Sequence, residues 1–296
     1  MRICVIFNPV ARGNKARHFR RDLERIGRAC ALKPTTCAGD GQRLAALAVD
    51  EGFDVVVAAG GDGTVNEVVN GIAQAPGGFG RSRLGVLPLG TVNVFAKELG
   101  IPGSLPGAWS VIDAGRETRV DLPWVEHTTA DGPARRYFAQ LGGAGLDSRA
   151  IALVDWSTKK AVGPLAYVLA GLKALRAPPS AITVTGGGRS ETGELVLVGN
   201  GRFYGGRFRL FPEADLRDGR LDVRVFPRAR LSTILRCVVP MAFGRPVPAS
   251  VSLGFQASTV TLSAPVPTPV EIDGDCAGHL PAVFSLVPGG LRVLAP

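Results

Sequence analysis

The sequence contains few residues of the types that build metal centres or disulfide frameworks. It has three histidines, far apart along the chain, and five cysteines without a C-x-x-C pair: Cys4, Cys30, Cys37, Cys237 and Cys276. Zinc sites need such ligands at short spacing, and disulfide frameworks use even numbers of cysteines. We therefore predict no zinc site and unpaired thiols in a reducing compartment.

Long apolar runs are also missing. A membrane span needs about 18 uncharged apolar residues, and the longest candidate, 161–175, contains Lys173 and several glycines. The apolar run at residues 1–7 is too short for a signal-peptide core and has no small-residue cleavage site. We therefore expect a soluble, cytoplasmic protein that contacts a bilayer only peripherally.

The composition is that of a core-forming protein, with 46% hydrophobic and 20% charged residues among 296. A chain of this length predicts two domains of ordinary size. The formal net charge of +9 suits anionic partners such as nucleotide phosphates or acidic membranes. Nucleic acid is disfavoured, because the basic residues are scattered and form no recognition motif.

The pattern of elements changes near residue 116. Before it, strand and helix signals alternate, with buried-strand runs at 2–7, 53–59 and 84–88 and helical spacing at 15–30, 43–51, 64–73 and 92–99. This alternation predicts a doubly wound, mostly parallel α/β domain over 1–116.

After residue 116, short strand candidates follow one another with Gly, Pro, Asp or Asn between them. They lie at 120–125, 136–141, 181–185, 194–198, 221–226, 250–253 and 259–262. This pattern predicts an antiparallel β-sandwich or barrel over 117–286, with helical insertions at 151–175 and 231–243. The C-terminal segment, about 287–296, is a candidate to return to the first domain.

A glycine-rich segment, Gly60-Gly61-Asp62-Gly63-Thr64, follows a predicted strand and precedes a predicted helix. Such a turn lets the backbone approach a phosphate, and the helix N-terminus offers N–H groups to it. Thr64 is placed to act as N-cap or phosphate donor, and Glu67 completes a capping-box pattern. The alternative is a tight strand-to-helix turn with a good cap.

The segment is not a Walker A loop or a dinucleotide fingerprint. Because the carboxylate of Asp62 would repel bare phosphate, it favours a magnesium-bridged nucleotide. A second turn, Gly90-Thr91-Val92-Asn93, follows the next predicted strand. In a parallel sheet, turns after adjacent strands face one crevice, so Thr91 and Asn93 could donate to nucleotide oxygens. The alternative is a plain N-cap at Thr91.

Five ordered motifs resemble the diacylglycerol kinase catalytic family, in its soluble bacterial lipid kinase branch, with ceramide and sphingosine kinases as cousins. They are Asn8-Pro9 with the 60–64 loop, Pro-Leu-Gly-Thr-x-Asn at 88–93, the 142–147 segment that resembles a family turn, the long signature over 200–223, and Ile272-Asp273-Gly274-Asp275. The resemblance covers essentially the whole chain. It implies an N-terminal domain like those of NAD kinase and phosphofructokinase, a β-rich lipid-acceptor domain, and ATP with Mg²⁺.

The resemblance also implies roles for individual residues. Asp273 matches the general base that takes the lipid hydroxyl proton, with Asp275 beside it. Nucleotide contacts fall on Asn8, Thr35, Gly60, Gly61, Asp62, Gly63, Thr64, Val65, Asn66, Glu67, Gly90, Thr91 and Asn93. Besides Asp62, metal binding falls on Asp218 and on the backbone carbonyls of Leu221 and Val223; without a metal, Asp218-Gly219 is simply good turn chemistry.

Some features depart from the family pattern and leave alternatives open. Val94 replaces a family Asp, and Asp275 replaces a Glu. One alternative is a soluble-substrate kinase of the NAD kinase type, since those share the Gly-Gly-Asp-Gly-Thr loop. Another is a non-catalytic lipid-binding regulator on the same scaffold. The sequence does not name the acceptor lipid, and a homodimer stays open.

The path of the lipid has two candidate linings. The segment 151–175 combines apolar residues with Lys159 and Lys160, which suits an acidic membrane interface. Its alternative is an amphipathic helix packed on the β domain. Phe203, Tyr204 and Phe208 flank a lipid cleft or fill the core between sheets.

Overall fold

The structure, a computed structural model, describes residues 1–9, 19, 22, 30–146, 148–149, 179–206 and 208–296. These residues form two compact units, Met1–Leu122 with Val287–Pro296, and Pro123–Leu286. The predicted helix at 151–175 lies outside the described residues, as do most of 15–30 and Asp147. The domain limits predicted from the sequence, 1–116 and 117–286, stay a prediction.

The first unit is built on a parallel sheet. Its elements are β1 (Ile3–Phe7), β2 (Ala31–Pro34), α1 (Asp40–Asp50), β3 (Val55–Gly60), α2 (Asp62–Gln74), α3 (Gly78–Arg81), β4 (Arg83–Pro88), α4 (Val94–Glu98) and α5 (Leu105–Ala114). The strand order is β4-β3-β1-β2, and Val293 near the C-terminus pairs in parallel with Leu84 of β4. All five residues of β1 are buried, as expected for a strand covered on both faces.

The strands of this sheet end at a common edge. Gly60 at the end of β3 pairs with Pro88 at the end of β4, while Phe7 pairs with Ala59 of β3 and with Pro34 of β2. The loops that follow β1, β2, β3 and β4 therefore emerge at the same edge.

The second unit is an antiparallel β-sandwich, and the predicted fold class is confirmed. Its elements are β6 (Gly132–Tyr137), β7 (Leu141–Gly145), β8 (Ile182–Gly186), β9 (Arg189–Gly193), β10 (Leu195–Gly199), β11 (Phe203–Tyr204), β12 (Phe208–Arg209), β13 (Leu221–Phe226), α6 (Leu231–Ala242), β14 (Leu253–Ala257), β15 (Thr259–Ser263) and β16 (Pro269–Ile272). Two long strands, β5 (Glu117–Thr129) and β17 (Asp275–Leu294), contribute residues to both units.

Two apolar clusters form the core of the second unit. The first contains Phe138 and Phe284, whose rings meet edge to face at 6.0 Å, among the inward residues of most strands. The second lies under α6 and joins Cys237 and Met241 of that helix to Leu141 and Phe211. We name this second group the α6 cluster. Tyr204 and Phe208 pack against it, so these two rings contribute to the core.

Two strand predictions and the start of one turn prediction are wrong for this unit. The 142–147 segment does not begin as a turn, because residues 141–145 form β7 between β10 and β16. Its glycines serve packing: a Cβ on Gly142 would lie 2.7 Å from the ring of Phe284. The strand predicted over 136–141 is interrupted at 138–140, and the one predicted over 250–253 starts only at Leu253.

In the described part of the chain, no helix has both the length and the apolar character that crossing a bilayer requires.

Candidate functional site

The two glycine loops of the first unit are hydrogen-bonded to each other. The backbone N–H groups of Leu89 and Gly90 donate to the carbonyl oxygen of Gly60, at 2.9 and 3.1 Å. Glycine is needed where the loops meet, because a Cβ on Gly90 would lie 2.5 Å from the Cα of Gly61. The turns after β3 and β4 therefore form one continuous surface, as predicted for turns that follow adjacent strands of a parallel sheet.

Asp62 links the two loops through its side chain. It is the first residue of α2, with Gly61 as N-cap, so it does not lie within the loop as the sequence suggested. Its Oδ1 accepts a hydrogen bond from the backbone N–H of Phe95 in the first turn of α4, at 3.2 Å. The carboxylate is thus held beside both helix N-termini, where the positive ends of the helix dipoles favour negative charge.

Asn93 braces the second loop. Its φ is 53°, a left-handed conformation that asparagine tolerates better than most residues. Its Nδ2 donates to the carbonyl of Gly90 at 2.7 Å and to that of Pro88 at 3.3 Å, and its side chain is buried. Asn93 is also the N-cap residue of α4, so the alternative of Thr91 as N-cap is wrong. Thr91 is exposed in the loop.

The predicted capping box at Thr64 and Glu67 is wrong. Because α2 begins at Asp62, Thr64 already lies within its first turn. Glu67 instead caps α1, since its Oε1 and Oε2 accept the backbone N–H groups of Gly39 and Gly41, both at 2.9 Å. The carboxylate therefore sits at the N-terminus of α1, where the dipole stabilises it.

The remaining predicted nucleotide residues divide between surface and interior. Gly63 is exposed and Thr64 half-buried, whereas Val65 and Asn66 are buried. Thr35 follows β2 and donates its backbone N–H to the carbonyl of Phe7 at 2.8 Å, which places it beside Asn8 at the same sheet edge. The structure brings these loops together, and their nucleotide contacts stay a prediction.

In the second unit, Asp273 occupies a tight hairpin turn. Asp273 and Gly274 have φ values of 48° and 88° and join β16 to β17, with Ile272 paired to Asp275. Two residues with positive φ between paired strands form the favoured type of short hairpin. The backbone at Asp273-Gly274 is therefore a hairpin turn.

The carboxylate of Asp273 is held by three consecutive backbone amides. Oδ2 accepts from the N–H of Ala139 at 2.8 Å, and Oδ1 accepts from Gln140 and Leu141 at 3.0 and 3.1 Å. The N–H of Asp273 in turn donates to the carbonyl of Leu141 at 2.7 Å. These donors explain why the predicted strand over 136–141 breaks, since Ala139 and Gln140 leave the ladder to bind the carboxylate.

Asn200 fixes the same segment from the other side. Its side chain is buried, and its Nδ2 donates to the carbonyl of Ala139 at 3.1 Å, while its backbone N–H donates to the carbonyl of Gln140 at 2.9 Å. The amides that hold Asp273 are therefore themselves fixed. Glu271 is buried behind the turn, and its Oε2 accepts the N–H of Gly274 at 3.2 Å. Asp275 is exposed at the start of β17.

The predicted metal ligands lie at the start of β13. Asp218 is exposed, and its Oδ1 accepts the backbone N–H of Arg220 at 2.9 Å. Burial raises the pKa of Asp222 to about 6, and the nearby carboxylates of Asp218 and Glu213 contribute to the rise. Leu221 and Val223 pair with β14. Among the residues that the structure describes, no three histidine, cysteine or acidic side chains are arranged to hold a metal ion.

Comparisons with known proteins agree with both units. The Diacylglycerol kinase catalytic domain matches residues 2–125, and the YegS C-terminal NAD kinase beta sandwich-like domain matches 142–295. Two diacylglycerol kinases of Staphylococcus aureus, from strains bovine RF122 / ET3-1 and JH9, are 30% and 31% identical over 302 residues, covering 99% of this chain and 91% of each relative. The chain belongs to the diacylglycerol kinase family. As a member, it is a lipid kinase.

Solved structures show the same fold. A crystal structure of a Bacillus anthracis str. Sterne protein superposes with a TM-score of 0.79 at 23% identity, covering all of this chain and 95% of that one. A crystal structure of a diacylglycerol kinase from the same strain gives 0.72 at 20% identity and covers 97% of that chain. These structures bear on the fold, whereas the family matches and the Staphylococcus aureus relatives confirm the predicted resemblance to the diacylglycerol kinase family.

Sequence reasoning missed the residues that position the site in this family member. The amides of Ala139, Gln140 and Leu141 leave no mark in the sequence, because any residue except proline supplies the same N–H. The bracing contacts of Asn93 and the capping of α1 by Glu67 were also missed. For Asn93 a signal existed, since asparagine directly before a helix and after a glycine turn is a candidate for a left-handed conformation.

Proposed function

We propose that this lipid kinase transfers the γ-phosphate of ATP, in the presence of Mg²⁺, to the hydroxyl of diacylglycerol or a closely related lipid. The observation that carries the proposal is the fixing of Asp273 by three amides. A short hairpin turn of this type favours Asp or Asn at its first central position, but it does not require that side chain to bind backbone amides of a distant segment. Ala139 and Gln140 leave the strand ladder to hold the carboxylate of Asp273. A catalytic role for that carboxylate explains this arrangement better than the needs of the turn do.

Asp273 supplies the base in this proposal. The acceptor hydroxyl oxygen forms a bond to the γ-phosphorus, the bond to the β–γ bridging oxygen breaks, and ADP leaves. The hydroxyl proton passes to the carboxylate of Asp273. Phosphoryl transfer depends mainly on positioning and charge neutralisation. A base held by backbone N–H groups needs no reorganisation when the acceptor arrives, and Asp275 lies on the same hairpin as a second negative charge.

The glycine loops supply the nucleotide site. Gly60, Gly61 and Gly90 expose backbone at one sheet edge, and the N-terminus of α2 offers N–H groups and a positive dipole end to phosphate. Thr91 and Asn93 lie in the adjacent loop. The family placement and the Staphylococcus aureus relatives, which are named diacylglycerol kinases, support this assignment.

Magnesium fits the oxygen-rich chemistry of both units. In the first unit Asp62 would hold the ion that accompanies the nucleotide, and the ion would neutralise phosphate charge. In the second, Asp218 and the carbonyls of Leu221 and Val223 supply only oxygen ligands, which Mg²⁺ prefers. A cation beside Asp218 would also offset the mutual repulsion that helps to raise the pKa of Asp222.

The test is transfer of label from γ-labelled ATP. Purified protein is incubated with Mg²⁺ and mixed vesicles containing diacylglycerol, with NAD offered in a parallel reaction and Asp273→Asn as the matched variant. We expect label in diacylglycerol with the wild type, loss of transfer with EDTA, and recovery when Mg²⁺ is restored. Label in NAD would replace the proposal with a soluble-substrate kinase. ATP binding without transfer to any acceptor would favour a non-catalytic regulator.

A further inference from the structure

Helix α6 has apolar side chains on two opposite faces. Within residues 231–242 the only charged residue is Arg236. Cys237 and Met241 face the α6 cluster and are buried. A surface helix normally carries polar residues opposite its buried face, but here Ser232 and Arg236 share that side with exposed apolar residues.

The outward face of α6 carries a continuous apolar stripe. Its exposed fractions are 51% for Leu231, 53% for Leu235, 38% for Val238, 51% for Val239 and 79% for Phe243, the C-cap residue directly after the helix. Their spacing of four, three, one and four residues places them along one side of a helix. Contiguous exposed apolar patches on soluble proteins commonly mark sites that bind another protein, a ligand or a membrane.

Arginines surround the N-terminal end of this stripe. An open cavity of about 750 Å³ is lined by Arg228, Arg230 and Arg236 together with the hydroxyl residues Ser232, Thr233 and Ser250. Arg236 donates to the Oγ of Ser250 at 3.1 Å, and Arg230 pairs with Glu194 at 3.2 Å. With three guanidinium groups against one carboxylate among the described residues, the cavity has a net positive charge and suits a phosphate group.

We propose that the stripe and this cavity together form the surface by which the protein docks on an anionic phospholipid bilayer. The apolar face lies in the headgroup region, and the cavity takes a lipid phosphate. Exposed apolar residues on one side and arginines beside them are the composition of helices that lie in a membrane interface. The proposal rests on the proposed function, since a lipid kinase must meet its acceptor at a bilayer.

Charge argues for a lipid surface over a second copy of this chain. In a symmetric dimer through this face, the same patch would meet itself. The arginines around the stripe would then approach one another within a chain of net charge +9. Anionic headgroups provide the opposite charge, and each arginine near such a surface strengthens binding.

The docking helix shares its core with the segment that holds Asp273. Cys237 and Met241 of α6 pack in the α6 cluster with Leu141, whose N–H donates to Asp273 at 3.1 Å. Both features belong to the second unit. A bilayer bound at α6 is thereby held at a fixed position relative to the residue proposed to take the acceptor proton.

The experiment measures co-sedimentation of the full chain with vesicles, without ATP. Vesicles of phosphatidylcholine mixed with phosphatidylglycerol are compared with vesicles of phosphatidylcholine alone. One variant is Leu235→Ser/Phe243→Ser, with Val266→Ser as the control at an exposed valine outside α6. The other is Arg228→Gln/Arg236→Gln, with Arg189→Gln in the β8–β9 hairpin as its control.

We expect the wild type and both controls to bind anionic vesicles more tightly than neutral ones. The serine variant should lose about tenfold or more in partitioning. Each neutralised arginine should cost about fivefold, and only on anionic vesicles. Wild-type binding by both variants would overturn the proposal. So would a dimer in sedimentation equilibrium that Phe243→Ser dissociates while vesicle binding persists, because the face would then join two copies.

Activity on a water-dispersed short-chain diacylglycerol separates this proposal from the proposed function. If the docking surface is correct, the variants keep wild-type activity on that acceptor and lose it on anionic vesicles. If no acceptor is phosphorylated even by the wild type, the proposed function fails, while the vesicle-binding result still decides the docking surface.

Discussion

The two units hold their key carboxylates in different ways. Asp62 of the first unit stands at the start of a helix, directly after a glycine turn, and accepts a hydrogen bond from the backbone N–H of Phe95. Asp273 of the second unit receives three backbone hydrogen bonds from residues more than 130 positions earlier in the chain. The first carboxylate is placed by a turn and a helix adjacent to it in sequence, with one contact 33 residues away, whereas the second depends on contacts more than 130 residues away.

The difference suggests a division of work between binding and chemistry. A helix N-terminus and glycine turns suit an anion whose position is set by many weak contacts, and in the proposed function Asp62 would need only a cation between itself and the phosphates. A base must lie within hydrogen-bond reach of one proton, so its carboxylate gains from being fixed by several donors. Substitutions in each unit test this contrast.

The largest expected effect comes from Asp273→Asn. Loss of a general base lowers kcat by about 10² to 10⁴, while the affinity for ATP stays near the wild-type value. Asp62→Asn should do the reverse and weaken binding of ATP with Mg²⁺ more than it lowers kcat. Steady-state kinetics and equilibrium ATP binding on both variants check the contrast.

Two controls make this comparison decisive. The side-chain amide introduced by Asp273→Asn would point an N–H at backbone donors, so this variant should also lose about 1–3 kcal/mol of unfolding free energy. Retained ATP binding shows that the folded variant is being measured. Asp275→Asn alters an exposed carboxylate on the same hairpin and should lower kcat less. Equal losses at positions 273 and 275 would contradict the assignment of the base.

Gly90→Ala should give an intermediate effect, confined to the first unit. Its Cβ would lie 2.5 Å from the Cα of Gly61 and 2.8 Å from Oδ1 of Asn93. We expect a loss of about 1–3 kcal/mol in unfolding free energy from overpacking. We also expect an increase of about tenfold or more in KM for ATP.

Gly80→Ala is the matched control for that substitution. Outside its chain neighbours and its own helix backbone, a Cβ added at Gly80 would have no atom of the described residues within 4 Å, and alanine suits a helix better than glycine. This substitution should leave KM for ATP unchanged. A normal KM in Gly90→Ala together with a loss of stability would mean that the contact between the loops is structural and does not shape the nucleotide site.

The same contrast between local and long-range contacts explains which parts of the fold and the candidate site could be predicted from the sequence. The loops after β3 and β4 were predictable because their strand, turn and helix are adjacent in sequence and each has its own pattern. The support of Asp273 was not, since it depends on strand order bringing the amides of Ala139, Gln140 and Leu141 to the β16–β17 turn. The 142–147 segment, expected to be a turn from the family resemblance, begins as β7, because its glycines allow close packing within a strand.

Substitution of Glu67 should have the smallest effect on stability. It also tests the contrast between local and long-range placement, because the sequence around Glu67 has the pattern of a local cap while its hydrogen-bond partners are distant in sequence. The sequence placed it in a capping box of its own helix and, by resemblance, among the nucleotide contacts. In the structure its carboxylate caps α1 through Gly39 and Gly41.

Glu67→Gln keeps one acceptor and turns an N–H toward the other donor, so unfolding free energy should fall by about 1 kcal/mol. Urea unfolding measures this loss, with Glu126→Gln, an exposed partner of Arg135, expected to change stability by less than about 0.5 kcal/mol. KM for ATP and kcat should be unchanged in Glu67→Gln. An increased KM for ATP with unaltered stability would instead make Glu67 a nucleotide ligand, and the first unit would then hold its substrate with a side chain as well as with its backbone.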